Sequence, residues 1–226
     1  VWDDKGFCAI VDPGYKDAEK GRIVAFIEQK KLTPVCVLLT HGHFDHILGV
    51  AELSRTYGGM PVYMNPADKF TLESNEYFCR CFGAPLPAAF ETTDIHEGET
   101  VRIGSLEFEV IETPGHTVGG VCYYERNEKT LFSGDTLFAG AIGRTDHPGG
   151  DYDTIMKSIL EKIVTLDGKE RELTTDMLMI ADQTNATGIA GVMGGDASKI
   201  EDDTDSLLLE SATFDGVSVR KTTTRL

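Results

Sequence analysis

The chain has 226 residues, a hydrophobic share of 41% and a formal net charge of -16, from 21 Lys+Arg against 37 Asp+Glu. Such a length suits one large α/β domain, or one domain plus an appendage, around a packed core. The acidic balance argues against nucleic acid as a partner, and no apolar run reaches the ~18 residues of a membrane span.

Residues 7–11 (FCAIV) read as a short strand closed by Asp12-Pro13-Gly14, a turn signal. The spacing of Ile23, Val24, Phe26 and Ile27 predicts a helix over 17–31. Residues 34–40 (PVCVLLT) are a continuous apolar run, expected as a buried strand that opens into a polar loop at His41–Asp45. HILGVAELSRTYGG then reads as one helix stopped by Gly58-Gly59, followed by a short strand, PVYMN. Residues 66–95 form a helical or irregular excursion. Alternation at Val101, Ile103, Leu106, Phe108 and Val110 predicts paired strands. A hairpin turning near Arg126-Asn127-Glu128 and a helix over 152–164 complete this pattern. Residue 166 onward changes character. TLDGKEREL reads as a hairpin, MLMIAD, GIAGVMGG and SLLLESATF as strand-like runs, and a boundary is placed near 166.

The five cysteines, Cys8, Cys36, Cys79, Cys81 and Cys122, are odd in number and mostly sit in apolar runs. They read as reduced, buried residues of a cytoplasmic protein. Cys79-x-Cys81 has no second pair near it, so it is read as ordinary. No signal peptide is visible, and Val1 falls inside what reads as a strand, so an upstream piece is read as either cut away or never present.

The chemistry concentrates in His41-Gly42-His43-Phe44-Asp45-His46, three imidazoles and a carboxylate at the end of a buried strand. Two histidines two apart can face one ion from an extended segment, while Asp45 and His46 turn toward a second position as a helix begins. Imidazole nitrogen with carboxylate oxygen suits zinc, with iron or manganese as alternatives. Thr113-Pro114-Gly115-His116 presents a fourth histidine on a turn, and Ser133-Gly134-Asp135 presents a carboxylate after a strand. His96 and His147 match no ligand pattern and read as surface residues, the alternative for His147, near the expected site, being contact with substrate.

Four motifs, THGHFDH (40–46), TPGHTVGG (113–120), SGDTLF (133–138) and GRTD (143–146), make residues 1–165 similar to the metallo-β-lactamase fold. Within it they resemble the short glyoxalase II-like hydrolases, the hydroxyacylglutathione hydrolase relatives. The resemblance implies an α/β protein, an αβ/βα sandwich with the site at the strand ends. It implies that His41, His43 and His116 hold a first metal, that Asp45 and His46 hold a second, and that Asp135 bridges them. One zinc is expected to be firmly held and the other more loosely. Asp45 and Asp135 thereby join the catalytic machinery, with a bridging hydroxide as the implied nucleophile, because a metal lowers the pKa of bound water toward ~7. Arg144 is a candidate anchor for an anionic substrate group, the alternative being a surface arginine paired with an acid.

The chain also departs from the family. The usual seventh ligand is a histidine in a Pro-Gly-His-Gly turn after the last helix, and no histidine follows His147. The sandwich is thus read as truncated at both ends. Residues 166–226 instead resemble part of the B3/B4 region of the phenylalanyl-tRNA synthetase beta chain, so a chimera with a β-rich C-terminal appendage is expected. Water, substrate or a tail residue such as Asp182 or Asp196 would complete the second metal's shell. The appendage, or exposed strand edges, would serve a homodimer. The first functional reading is a metal-dependent hydrolase of thioester-like or other activated esters acting on a small-molecule substrate. Its variants are a promiscuous phosphodiester, phosphotriester, lactone or β-lactam hydrolase, a mononuclear iron enzyme of persulfide dioxygenase type, and an inactive chimera or binding module.

Overall fold

Strand β2 (Thr33–Leu38) converts the apolar run of 34–40 into two buried layers. Successive side chains of a strand point to opposite faces. Val37 and Leu39 therefore enter one core, with Ile47, Leu53, Val62 and Met64. Cys36 and Leu38 enter the other, with Ile103, Phe108, Val110 and Tyr123. Because both faces are covered, the run shows no polar alternation.

The computed structural model describes residues 1–14, 17–138 and 141–163 and three short strands at 179–181, 186–189 and 193–194. Two compact units are present, Val1–Ser158 and Ile159–Leu226. In the first, β1 (Phe7–Val11), β2, β3 (Val62–Met64) and β4 (Thr93–Asp94) form a parallel sheet in that order. Ile27 of α1 (Asp17–Lys30), Ile47 of α2 (Phe44–Ile47) and Leu53 of α3 (Val50–Thr56) belong to the core on its outer face. The second sheet is an antiparallel meander of β5 (Thr100–Ile103), β6 (Leu106–Glu112), β7 (Val121–Glu125) and β8 (Thr130–Phe132). The inter-sheet core joins Ala9, Cys36 and Leu38 of the first sheet to Val101, Phe108 and Val110 of the second. This is the α/β sandwich expected.

The helix expected over HILGVAELSRTYGG is broken into α2 and α3. Gly49 leaves the helical ladder and its N–H donates to the Pro13 carbonyl at 2.8 Å. The break ties the helix pair to the end of β1. Helix α4 (Lys69–Phe82) stops at Gly83, whose φ of 62° is left-handed. The expected excursion is thus a helix followed by irregular chain. The short strands β9 (Leu137–Phe138) and β10 (Ala141–Ile142) pair with each other. Helix α5 (Tyr152–Ser158) packs against the turn at 114–115. There a side chain on Gly115 would lie 2.2 Å from the Ile155 nitrogen, and Ser158 Oγ donates to the Pro114 carbonyl at 2.7 Å.

In the second unit, α5's chain continues as a π turn at Ile159–Ile163. Strands β11 (Met179–Ala181), β12 (Ala186–Ile189) and β13 (Met193–Gly194) form an antiparallel sheet at the positions of MLMIAD and GIAGVMGG. The boundary near 166, the TLDGKEREL hairpin, the SLLLESATF run, Asp182 and Asp196 lie outside the described residues. No helix among the described residues is long and apolar enough to cross a membrane.

Candidate metal centre

Two parallel strands end side by side and start the site. Val11 is opposite Leu38, so Asp12 emerges next to the loop after β2. Asp12 adopts a left-handed φ of 42°, which Asp tolerates better than most residues. Its carboxylate accepts from Thr40 N at 2.8 Å, Thr40 Oγ1 at 2.6 Å and His46 Nδ1 at 3.0 Å. Thr40 Oγ1 spends its proton on Asp12, so it can only accept from His41 Nδ1, 3.0 Å away. His41 therefore keeps its Nε2 lone pair for the site.

A second clamp is Asp68, a fully buried carboxylate at the start of α4. It accepts from Gly42 N, from Thr71 Oγ1 at 2.9 Å and from Gly119 N at 2.9 Å. One side chain thus holds the 40–43 loop against the 113–120 turn. Asn75 adds a hydrogen bond to the Gly42 carbonyl at 2.8 Å.

The clamps bring His41, His43 and His116 into one buried cluster, with ring centroids 4.8–4.9 Å apart. His116 Nδ1 donates to the Arg144 carbonyl at 2.7 Å, which turns its Nε2 inward. That nitrogen lies 3.0 Å from His43 Nδ1, and His41 Nε2 is buried without a hydrogen-bond partner among the described residues. Three inward-facing imidazole nitrogens, one of them orphaned, fit a tetrahedral divalent ion with a fourth position open. Beside them His46 Nε2 is 3.3 Å from Asp135 Oδ1, and Asp135 Oδ2 is 3.6 Å from His116 Nε2. Asp135 therefore shows one oxygen to each half of the site. Gly134 (φ 49°) and Gly143 permit this, because a side chain on Gly143 would lie 1.7 Å from the Asp135 carbonyl oxygen.

Burial, reinforced by neighbouring imidazoles, pushes His43 down to about 3 and His41 well below its ordinary value. Burial likewise lowers His116, and outweighs the raising effect of its bond to Arg144 O and of the Asp135 charge. His46 behaves oppositely: burial acts to lower it, but the hydrogen bonds and charges of Asp12 and Asp135 raise it to about 10. For Asp135, burial acts to raise the pKa, and the bond and charge of His46 reverse this, leaving it lowered. The first cluster is thus neutral and ready to donate lone pairs.

The six residues singled out as ligands share one end of the sandwich, though unequally. Asp45 is exposed on the first turn of α2 and belongs to neither of the two three-donor groups; it lines the same cavity as His43, His116 and Asp135. Arg144 lines it too, but its guanidinium bonds to both carboxylate oxygens of Asp146 at 2.9 and 3.0 Å. His96 is exposed, as expected, but His147 is not an ordinary surface residue. Its ring lies 4.9 Å from those of both His43 and His116. The loop carrying it is pinned over the site by the His116–Arg144 bond and by Asp151 N to Gly115 O. All five cysteines are unpaired, and Cys81 is exposed where burial was expected.

Sequence reading missed Asp12, which forms the second donor group with His41 and His46. It was visible only as a turn residue, because its role depends on parallel register. Asp68 carried no motif at all.

The metallo-β-lactamase superfamily profile matches residues 1–181, and that of the B3/4 domain matches residues 148–226. The chain is 37% identical over 191 residues to the hydroxyacylglutathione hydrolase GloC of Haemophilus influenzae, covering 84% of this chain and 85% of the relative. Among solved structures, it is similar to the B3 metallo-β-lactamase BLEG-1 (38% identity, TM-score 0.66, 74% of this chain and 79% of that one). It is also similar to TTHA1623 in a di-iron-bound form (33% identity, TM-score 0.61, 69% and 75%). The expected fusion is consistent with the two profile matches. With its histidine and aspartate donor groups in place, the chain belongs to the metallo-β-lactamase superfamily, as a hydrolase with glyoxalase II-like relatives and a C-terminal B3/4-type segment.

Proposed function

We propose that the protein is a zinc hydrolase of thioesters or other activated esters. The observation that carries this is the set of neutral, inward-facing nitrogens on His41, His43 and His116 beside the two-faced carboxylate of Asp135. In this reading His41, His43 and His116 would hold one ion, Asp45 and His46 would serve a second, and Asp135 would contribute to both. A bound divalent ion supplies acidified water and polarises a carbonyl. Asp12 and the Arg144 carbonyl orient the imidazoles, and Asp135 stays ionised. Hydrolysis joins the oxygen of water to the carbonyl carbon. The C–S or C–O bond breaks with its electron pair on sulfur or oxygen, and the protons of water end on the leaving group and in solvent. A thiolate leaves without a dedicated acid. The name of the Haemophilus relative supports a thioester, and the N/O donor set supports zinc. The di-iron form of TTHA1623 favours iron as the second reading for the metal.

The test is a panel of thioesters, esters, lactones, β-lactams and phosphoesters assayed with and without chelator, alongside metal content by mass spectrometry. The expected result is chelator-sensitive thioester turnover with zinc bound, reduced at least ~100-fold by His116→Ala. Absence of such turnover on every class, or iron near one per chain with oxygen uptake, overturns it.

A further inference from the structure

A cavity of about 530 Å³ opens directly onto His43, His116 and Asp135. That volume is typical of a small-molecule site. The wall beside these residues is aromatic. Phe78 packs its ring 4.9 Å from that of the ligand candidate His43, and Tyr77 lies 5.5 Å further along. Phe82 lies against Phe44 at 5.9 Å, and Phe138 and Ile142 also line the cavity. Tyr77, Phe82 and Phe138 are 59%, 64% and 46% exposed, so this apolar surface faces solvent instead of filling the core. Exposed aromatic surface lining a concave site favours an apolar occupant.

The side-chain charges of the wall bear on the same point. Of the carboxylates in its described lining, Asp45 and Asp135 would face the metal ions of the proposed centre, which leaves Asp146 and one side-chain cation, Arg144, on the wall. That guanidinium is already engaged in a two-bond pair with Asp146. A glutathione thioester carries two carboxylates and one ammonium into the site, and the described wall offers the carboxylates no unengaged side-chain cation.

Resting on the hydrolase reading, we infer that the substrate is an uncharged thioester or ester with an aryl or alkyl group next to the scissile bond, seated on the Phe78–Tyr77 and Phe44–Phe82 wall. This chemistry can sit on the acyl side or on the leaving-group side. Two series separate these: N-acetylcysteamine thioesters from acetyl to octanoyl, and acetyl thioesters of thiols of rising apolarity. S-lactoylglutathione is the charged comparator. In one series kcat/KM is expected to rise about tenfold or more, mainly through KM, with S-lactoylglutathione below its best member. Phe82→Ala is expected to flatten the rise and Phe82→Leu to retain most of it. A flat response in both series, or preference for S-lactoylglutathione, overturns the inference.

Binding is measured separately by calorimetry with octanamide, acetamide and glutathione on the full chain stripped of metal. Octanamide is expected to bind at least about tenfold tighter than acetamide. If it does not, or if glutathione binds tighter than octanamide, the apolar assignment fails whatever the turnover. If octanamide binding holds while nothing is hydrolysed, only the hydrolase reading falls.

Discussion

Asp12 serves three donors at once: the amide and hydroxyl of Thr40 and the imidazole of His46. Partners of this kind fix ligand tautomers, and their loss commonly costs ~10–100-fold in metal affinity. Asp12→Asn is accordingly expected to weaken metal binding within that range, measured by competition with a chromophoric chelator; unchanged affinity would remove Asp12 from this role. The histidines also set a pH dependence for the metal-free protein. His43 has its pKa lowered by burial to about 3, against 6.5 for an ordinary histidine. Between those values the unfolded chain binds a proton that the folded chain refuses, so stability rises with pH there. His41 and His116 shift the same way. His46 acts with the opposite sign: its stabilising contribution is complete below 6.5 and is lost as pH rises through about 10. Chelator-treated protein is therefore expected to melt at progressively lower temperature as pH falls from 6.5 toward 4. A melting temperature that rises over that interval would contradict the burial of neutral imidazoles.

The elements matter chiefly through how their ends are joined. The 40–43 loop ends β2, the 113–120 turn links β6 to β7, and Asp68 at the start of α4 bonds both. Asp68→Ala would leave the amides of Gly42 and Gly119 and the hydroxyl of Thr71 without their acceptor. Each orphaned buried donor costs about 1–3 kcal/mol, so a total of roughly 3 kcal/mol or more is expected in urea unfolding. A loss below about 1 kcal/mol would show that water replaces the carboxylate. Much of this element pattern was legible. The H-x-H-x-D-H spacing placed a metal loop after a buried strand, and the alternation of 101–110 placed the antiparallel pair. The break at Leu48–Gly49 was not legible, since Gly49 is a mild helix breaker whose effect here comes from a distant acceptor, Pro13 O. The surface reading of His147 gives way to its alternative for a similar reason. Only the folding back of its loop puts it on His43 and His116.

At the scale of the molecule, the site joins both halves of the sandwich. His41 and His43 follow the parallel sheet, while His116 and Asp135 come from turns of the antiparallel one. An ion held across that junction binds only the folded chain, so it stabilises by mass action, about 4 kcal/mol at a thousandfold excess over Kd. Chelation is expected to lower the melting temperature by several degrees, and added zinc to restore it. A melting curve indifferent to chelator would mean the donors do not gather around an ion.

Residue types and spacing alone determined the ligand candidates, the buried strand before them and the family resemblance, because local chain geometry and side-chain chemistry suffice for those. The tertiary structure alone decided which residues orient the candidate ligands, that Arg144 is paired with Asp146, and that aromatic residues line the cavity beside them. These depend on parallel register and on loops meeting from remote parts of the chain. Asp12 is 34 residues from the His46 it holds, and Asp68 is 51 from Gly119. No periodicity within a single segment encodes contacts at that separation.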